Sequence, residues 1–157
     1  MFTNFENMVT QGDNMIRLFF PSKRITIKNR KGLKEFCLGV LRSEKKKTGY
    51  VNFIFCSDAQ LLKVNQDYLG HDYYTDIITF DLSLSPSLLE AEIYISVDRV
   101  RENAARLKLS ISEELLRVMF HGLLHLCGYN DKSPEEVALM RKKEDFYIKK
   151  FSKLTKS

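Results

Sequence analysis

The chain has 157 residues, 44% of them hydrophobic, which is enough for one domain with one buried core. No apolar run approaches the roughly 20 residues that a membrane-spanning helix needs. Residues 1–14 also lack the cationic start and apolar stretch of a secretory signal. We therefore expect a cytoplasmic protein with no membrane partner. Its three widely spaced cysteines (Cys37, Cys56 and Cys127) predict free thiols in a reducing compartment.

Positive charge is concentrated at the C-terminus. The net charge is +5, and residues 141–157, with seven basic and two acidic side chains, account for all of it. Such a stretch suits a polyanionic partner such as RNA, although on charge alone a solvated, lysine-rich terminus is the simpler interpretation. We predict a flexible N-terminal extension at 1–14, a single catalytic domain at 15–150 and a basic flexible tail at 151–157.

The elements alternate along the chain. Runs of β-branched and aromatic residues predict strands at residues 16–20, 24–27, 50–56, 76–82 and 91–97. Apolar residues at helical spacing predict helices at residues 29–47, 58–69, 98–108 and 111–127, and a last one from 134. Asp58 is placed to cap its helix, and Ser110 and Ser133 each precede a glutamate at capping-box spacing. The sum of these elements is an α+β domain with about five helices.

The stretch HGLLHLCGYND, residues 121–131, holds two of the three histidines. Because His121 and His125 are four residues apart, they share one face of the predicted helix, as in the zincin pattern H-E-x-x-H. The helix is apolar nearly all round, so it is mostly buried, and buried imidazoles need partners. A metal ion would provide one; backbone carbonyls or carboxylates would be the alternative. The spacing alone leaves both interpretations open.

Asp131 follows the helix closely enough to approach the same ion, because Gly128 is placed to turn the chain back. Three protein ligands and an open position make a catalytic zinc site, in which a metal-bound water is the nucleophile. Asp131 is also explained as an ordinary turn residue before a helix. Gly122 occupies the position of the metalloprotease base glutamate, which argues against peptide hydrolysis. A glycine inside a buried helix further suggests a close approach by another backbone or a ligand.

Three stretches carry a family resemblance. HGLLHLCGYND closely resembles the signature H-G-x-L-H-L-x-G-Y-D-H of the YbeY family, bacterial metal-dependent endoribonucleases also called rRNA maturation factors. NQDYLGHDYYTDIITF (65–80) is similar to that family's N-x-x-Y-R-x-x-D-x-P-T-D-V-L-S-F, and AEIYIS (91–96) resembles its strand G-D-I-x-I-S. The resemblance extends from about residue 50 to 146.

The resemblance implies a single mixed four-stranded sheet packed with about five helices, one of them a zincin-like metal-binding helix. It implies one Zn²⁺ per chain, with other divalent ions possible, held by His121, His125 and Asp131. The implied activity is single-strand-specific endoribonuclease cleavage in 16S rRNA 3′-end maturation and ribosome quality control. The implied partners are ribosomal RNA and the small ribosomal subunit, with ribosomal-protein contacts. RNA-binding residues are not identified, and no protein general base is assigned: Glu92 and the metal-bound hydroxide itself are the two candidates.

The chain departs from the family pattern at three points. Asp131 stands in place of a third histidine; an anionic ligand predicts a less acidic bound water and more tolerance for Mn²⁺ or Fe²⁺. Leu69 replaces an arginine that is a natural phosphate clamp, for which nearby His71 is a partial substitute or simply an exposed loop residue. Glu92 replaces an aspartate, keeping the carboxylate on a longer arm.

Thr75 and Asp76 stand where the predicted strand at 76–82 begins. Such a pair commonly ends a turn with side-chain-to-backbone hydrogen bonds, so we favour a structural role for both. Three functions remain as alternatives to the nuclease. A non-catalytic, metal-containing ribosome assembly factor is favoured by Leu69. A zinc metalloprotease is disfavoured by Gly122. A non-haem iron oxygenase is disfavoured because its ligands usually lie on a β-barrel.

Overall fold

The computed structural model of the protein describes residues 15–21 and 25–156. Its elements are β1 (Met15–Phe19), α1 (Arg30–Ser43), β2 (Thr48–Cys56), α2 (Asp58–Leu69), β3 (Ile77–Asp81), β4 (Leu89–Ser96), α3 (Val97–Leu107), α4 (Ile111–Leu126) and α5 (Pro134–Lys156). The four strands form one sheet in the order β1-β2-β4-β3. The pairs β1–β2 and β2–β4 are parallel, and β3 is antiparallel to β4. The predicted α+β fold with a single mixed sheet is confirmed.

Three local predictions differ from the structure. Residues 25–27 form no strand, because their backbone pairs with none of the described strands; Ile25 is buried and Ile27 packs against the core from a loop. Residue 24 lies outside the described residues. The first helix ends at Ser43 rather than 47, since Lys45 adopts a left-handed φ of 63°. Ser57, not Asp58, caps α2, in a complete capping box.

The sequence predicts flexible segments at both ends of the chain. The predicted extension at 1–14 lies outside the described residues. At the other end, residues 151–156 form the last turns of α5, and the Phe151 ring packs 5.0 Å from that of Phe36. Phe151 thus contacts α1, while the predicted domain bounds and the flexibility of the basic tail stay predictions.

The sheet separates two packed layers. Successive residues of a strand point to opposite faces, so Ile93 and Ile95 of β4 pack in the larger core with α1, α4 and α5. Tyr94, between them, packs in a smaller core with Leu61 of α2 and Ile78 of β3. Helix α4 therefore lies over one face of the sheet and α2 over the other. None of the described helices combines the length and apolar character needed to cross a membrane.

Helix α4 matches its predicted span and is held at both ends. Ser110 accepts a hydrogen bond from the Glu113 amide at 3.1 Å, and Gly128, with φ of 99°, follows its last turn. A Cβ at Gly122 would lie 2.9 Å from Cδ1 of Ile77 and 3.1 Å from Cδ1 and Cγ2 of Ile93. The close neighbours of this glycine are thus side chains of the sheet, rather than the backbone or ligand that the sequence suggested.

Two helical glycines provide a matched stability test. We expect Gly122→Ala to lower the free energy of unfolding by about 1–3 kcal/mol, because the added methyl overpacks α4 against the sheet. Gly39, inside α1, has open space at its Cβ position. Gly39→Ala should therefore raise the same quantity by up to about 1 kcal/mol through helix propensity alone. Urea unfolding measures both, and equal shifts in the two variants would contradict the tight α4–sheet contact.

Candidate metal centre

The end of α4 and the turn after it bring His121, His125 and Asp131 together. One ligand atom from each residue can be chosen so that all lie within 4.8 Å of one another. Oδ2 of Asp131 lies 3.2 Å from Nε2 of His121 and 3.4 Å from Nε2 of His125. All three side chains keep some exposure, which leaves one side of the group open to solvent. Two imidazole nitrogens and a carboxylate oxygen converging on one point fit a zinc-type cation with an open position.

The turn that carries Asp131 is fixed by hydrogen bonds on both sides. The Gly128 amide donates to the carbonyl of His125 and the Tyr129 amide to that of Leu124, each at 3.0 Å, which satisfies the last carbonyls of α4. Beyond Asp131, Ser133 and Glu136 form the predicted reciprocal capping box that begins α5. Asp131 therefore lies on a short connection between two helices whose facing ends are both capped by hydrogen bonds.

Tyr129 ties the same turn to the neighbouring helices. Its hydroxyl donates to Oε1 of Glu44 at 3.2 Å, and Nζ of Lys143 donates to the same oxygen at 2.7 Å. Lys143 also lies 5.2 Å from the centroid of the Tyr129 ring. Burial would raise the pKa of Glu44, but the bonds from Lys143 and Tyr129 outweigh it and lower that pKa. The Glu44 carboxylate thus stays ionised and fastens the turn to α1 and α5.

Glu144 of α5 supports His121 from behind. The Nδ1 of His121 lies 2.8 Å from Oε2 of Glu144, which is 3% exposed, and Arg117 donates to the other carboxylate oxygen at 3.1 Å. Burial lowers the pKa of His121, but the hydrogen bond and charge of Glu144, with the charge of Asp131, outweigh it and raise the pKa above its usual value. A carboxylate on Nδ1 leaves Nε2 directed at the ligand group, a common arrangement behind metal-binding histidines.

Glu92, the residue considered as a base, lies elsewhere. It alternates with Ile93 on β4, so its side chain shares the α2 face of the sheet with Tyr94. There Glu92 is buried, and Oε1 accepts a hydrogen bond from the Tyr94 hydroxyl at 3.2 Å. The structure does not bring Glu92 to the histidines.

Asp76, to which the sequence analysis gave only a structural role, also lies near the ligand group. It lines the cleft beside α4 together with His121 and Asp131. Burial raises the pKa of Asp76, and the charge of His121 offsets part of that rise. Its neighbour Thr75 has the predicted turn role, since its hydroxyl donates to the Ile77 carbonyl at 3.3 Å. The signal available in the sequence was the position of Asp76 within the second family-like stretch.

The cleft extends from the ligand group over the end of β3. This part has a volume of about 730 Å³, and its rim includes Leu69, His71 and Lys132. Leu69 is 43% exposed at the position where the family pattern has arginine. A cleft of this volume is within the range of protein ligand sites, and it lies directly beside the ligand group.

The two histidines of α4, the carboxylate of Asp131 and the open cleft form a group that could hold a metal ion with an open position, as catalytic metal sites do. Comparison with known proteins gives the particular family: the model of endoribonuclease YbeY matches residues 21–152. The chain belongs to the endoribonuclease YbeY family.

Individual relatives agree with this assignment. The chain is 54% identical to endoribonuclease YbeY of Flavobacterium psychrophilum over 71% of this chain and 79% of that protein. It is 43% identical to endoribonuclease YbeY of Cytophaga hutchinsonii over 85% of this chain and 93% of that protein. The solution structure of TM1509 from Thermotoga maritima matches with a TM-score of 0.63 and 30% identity, covering 87% of this chain and 89% of that one. The resemblance found in the sequence motifs is confirmed.

Proposed function

We propose that this protein is a metal-dependent endoribonuclease that hydrolyses single-stranded RNA. The observation that carries the proposal is the convergence of His121, His125 and Asp131 at the wall of an open cleft, in a chain of the endoribonuclease YbeY family. The position that would hold a metalloprotease base is Gly122, which faces the sheet rather than the cleft. A side chain there would point away from the substrate, which further disfavours peptide hydrolysis.

Zn²⁺ is the cation we propose for this group, and when bound it supplies Lewis acidity toward a phosphate oxygen and an activated water. Asp131 adds a negative charge to the ligand set, from which we expect Mn²⁺ or Fe²⁺ to be accepted as well. Glu144 holds the Nδ1 proton of His121, so that Nε2 is free to bind the ion. Arg117 lies 3.1 Å from Glu144 and balances its buried charge.

We further propose Asp76 as the proton acceptor, the role first considered for Glu92. It lies in the same cleft as His121 and Asp131, where a reacting water would be placed. A pKa raised by burial makes a carboxylate a better base near neutral pH than an ordinary exposed one.

Ribosomal RNA of the small subunit, at the 16S 3′ end, is the substrate we propose, within the cytoplasm. The exposed face of α5 supports a polyanionic partner because it carries five basic side chains: Arg141, Lys142, Lys149, Lys150 and Lys153. Contacts between such side chains and phosphates predict an affinity for RNA that falls steeply with salt.

A non-catalytic ribosome assembly factor is the second candidate. Leu69 favours it, since an exposed leucine in the cleft offers no charge to a phosphate. The two candidates differ in one observable: the factor binds RNA without cutting it, whether or not a metal ion is present.

The test is a substrate and metal panel on one preparation. Protein stripped with a chelator is incubated with single-stranded RNA, a duplex of the same sequence and single-stranded DNA, before and after Zn²⁺ or Mn²⁺ is restored. We expect cutting of single-stranded RNA alone, only with metal, and none by His125→Ala, which should also lose its equivalent of metal. RNA binding without any cutting by metal-loaded protein would favour the assembly factor.

A further inference from the structure

The loop between α2 and β3 displays two aromatic rings at the metal cleft. The rings of His71 and Tyr73 are stacked, with centroids 5.1 Å apart and an interplanar angle of 20°. The Tyr73 hydroxyl lies 3.0 Å from Nδ1 of His71, which links the two side chains. Both residues line the same cleft as His125 and Asp131. A flat aromatic surface therefore borders the metal ligands.

This loop is fixed to α2 by its polar groups. Asn65, only 1% exposed, donates from Nδ2 to the Tyr73 carbonyl at 2.9 Å and accepts at its own carbonyl from the His71 amide at 3.1 Å. Gly70 takes the left-handed conformation that the helix end requires, with φ of 67°. Gln66 donates to Asp72 at 2.6 Å. The rings are thus held in place before any ligand arrives, which reduces the entropy cost of binding.

The exposed rings of His71 and Tyr73 suit a partner with a flat apolar face. Tyr73 is 56% exposed although the loop around it is well ordered by hydrogen bonds. Unpaired nucleobases stack on tyrosine and histidine rings, whereas bases inside a duplex are already stacked and out of reach. Lys132, on the rim of the same cleft, adds a cation for the adjoining phosphate.

We propose that His71 and Tyr73 form a stacking platform for one unpaired base of the RNA, which holds the adjoining phosphodiester at the metal ligands. The platform rests on the proposed nuclease function and names how that site selects single strands. It also holds the RNA without the phosphate contact that Leu69 cannot make, because base stacking requires no charged side chain. Any of the four bases is accepted, since each has a π-face.

The test separates binding from cutting in the metal-loaded protein. Affinity is measured by fluorescence anisotropy with a labelled single-stranded 2′-O-methyl oligonucleotide whose integrity is checked on a gel, and cleavage is measured on the matching RNA. We expect Tyr73→Ala to weaken binding about 5- to 150-fold, the range that follows from losing one base stack. Tyr73→Phe keeps the ring and should stay within about threefold of wild type. Tyr74→Ala removes a ring of the same loop that is also exposed, at 53%, but does not line the cleft, and should bind as wild type.

A series of oligonucleotides, each lacking one base, completes a double-mutant cycle with Tyr73→Ala. At the stacked position, the abasic change should cost wild type as much as Tyr73→Ala does, and cost Tyr73→Ala nothing further. Wild type that binds and cuts RNA while Tyr73→Ala binds equally well would overturn the platform and leave the nuclease function standing. Wild type that neither binds nor cuts RNA would overturn both. Equal losses in Tyr73→Ala and Tyr74→Ala would also reject the platform.

Discussion

Asp76→Asn should slow RNA cleavage by about 10²- to 10⁴-fold, the range for losing a general base, while its metal content stays that of wild type. The side chain keeps its size, and the amide still lies in the cleft beside His121 and Asp131. What it loses is the ability to accept a proton. The measurement is the single-turnover rate on single-stranded RNA, with metal content determined on the same samples.

Glu92→Gln is the matched control for that experiment. It makes the same carboxylate-to-amide change on a buried residue, but on the α2 face of the sheet, where Glu92 pairs with Tyr94. Its cleavage rate should stay within about threefold of wild type. A large loss in Glu92→Gln with little change in Asp76→Asn would return the base role to Glu92.

The second large effect concerns metal affinity rather than rate. Glu144→Gln should weaken Zn²⁺ binding about 10- to 100-fold, because it removes the charged acceptor that orients His121 through Nδ1. Gln keeps the volume, so α5 still packs on α4. Competition with a chromophoric chelator measures the affinity directly and requires no RNA.

Asp145→Asn provides the comparison for Glu144. Asp145 also pairs with Arg117, at 2.9 Å, but its side chain is 59% exposed and forms no described contact with His121. Removing it should leave Zn²⁺ affinity within about twofold of wild type. Equal losses in the two variants would mean that Arg117, and not the carboxylate behind the histidine, supports the site.

The parts of the site that sequence reasoning predicted are local in the chain. His121 and His125 share a helical face by spacing alone, and the signals that end α4 and begin α5 place Asp131 beside them. Residues 25–27 show where such reasoning fails. Ile25 and Ile27 have the alternation of a strand, yet they pack in the core from a loop. An alternating apolar pattern shows that side chains are buried, but it does not show that the backbone pairs with another strand.

The missed residues depend on how distant segments pack. Asp76 reaches the cleft because β3 lies antiparallel at the edge of the sheet under α4, and Glu144 because α5 folds back on α4. Glu92 was considered as a base, although it lies on the opposite face of the sheet, for a related reason. Strand residues alternate between faces, so choosing the face that α4 covers requires knowing the layers, which no single strand encodes.

The three ligands come from only eleven consecutive residues, 121–131. A stretch that short retains part of its affinity for the ion when the chain is unfolded, so folded and unfolded states compete for the same metal. The ion then raises the melting temperature less than its affinity for the native protein would suggest. The native state adds contacts from separate helices: Glu144 meets His121, and Glu44 and Lys143 hold the turn before Asp131, only after folding. Folding therefore increases a metal affinity that the unfolded segment already has in part.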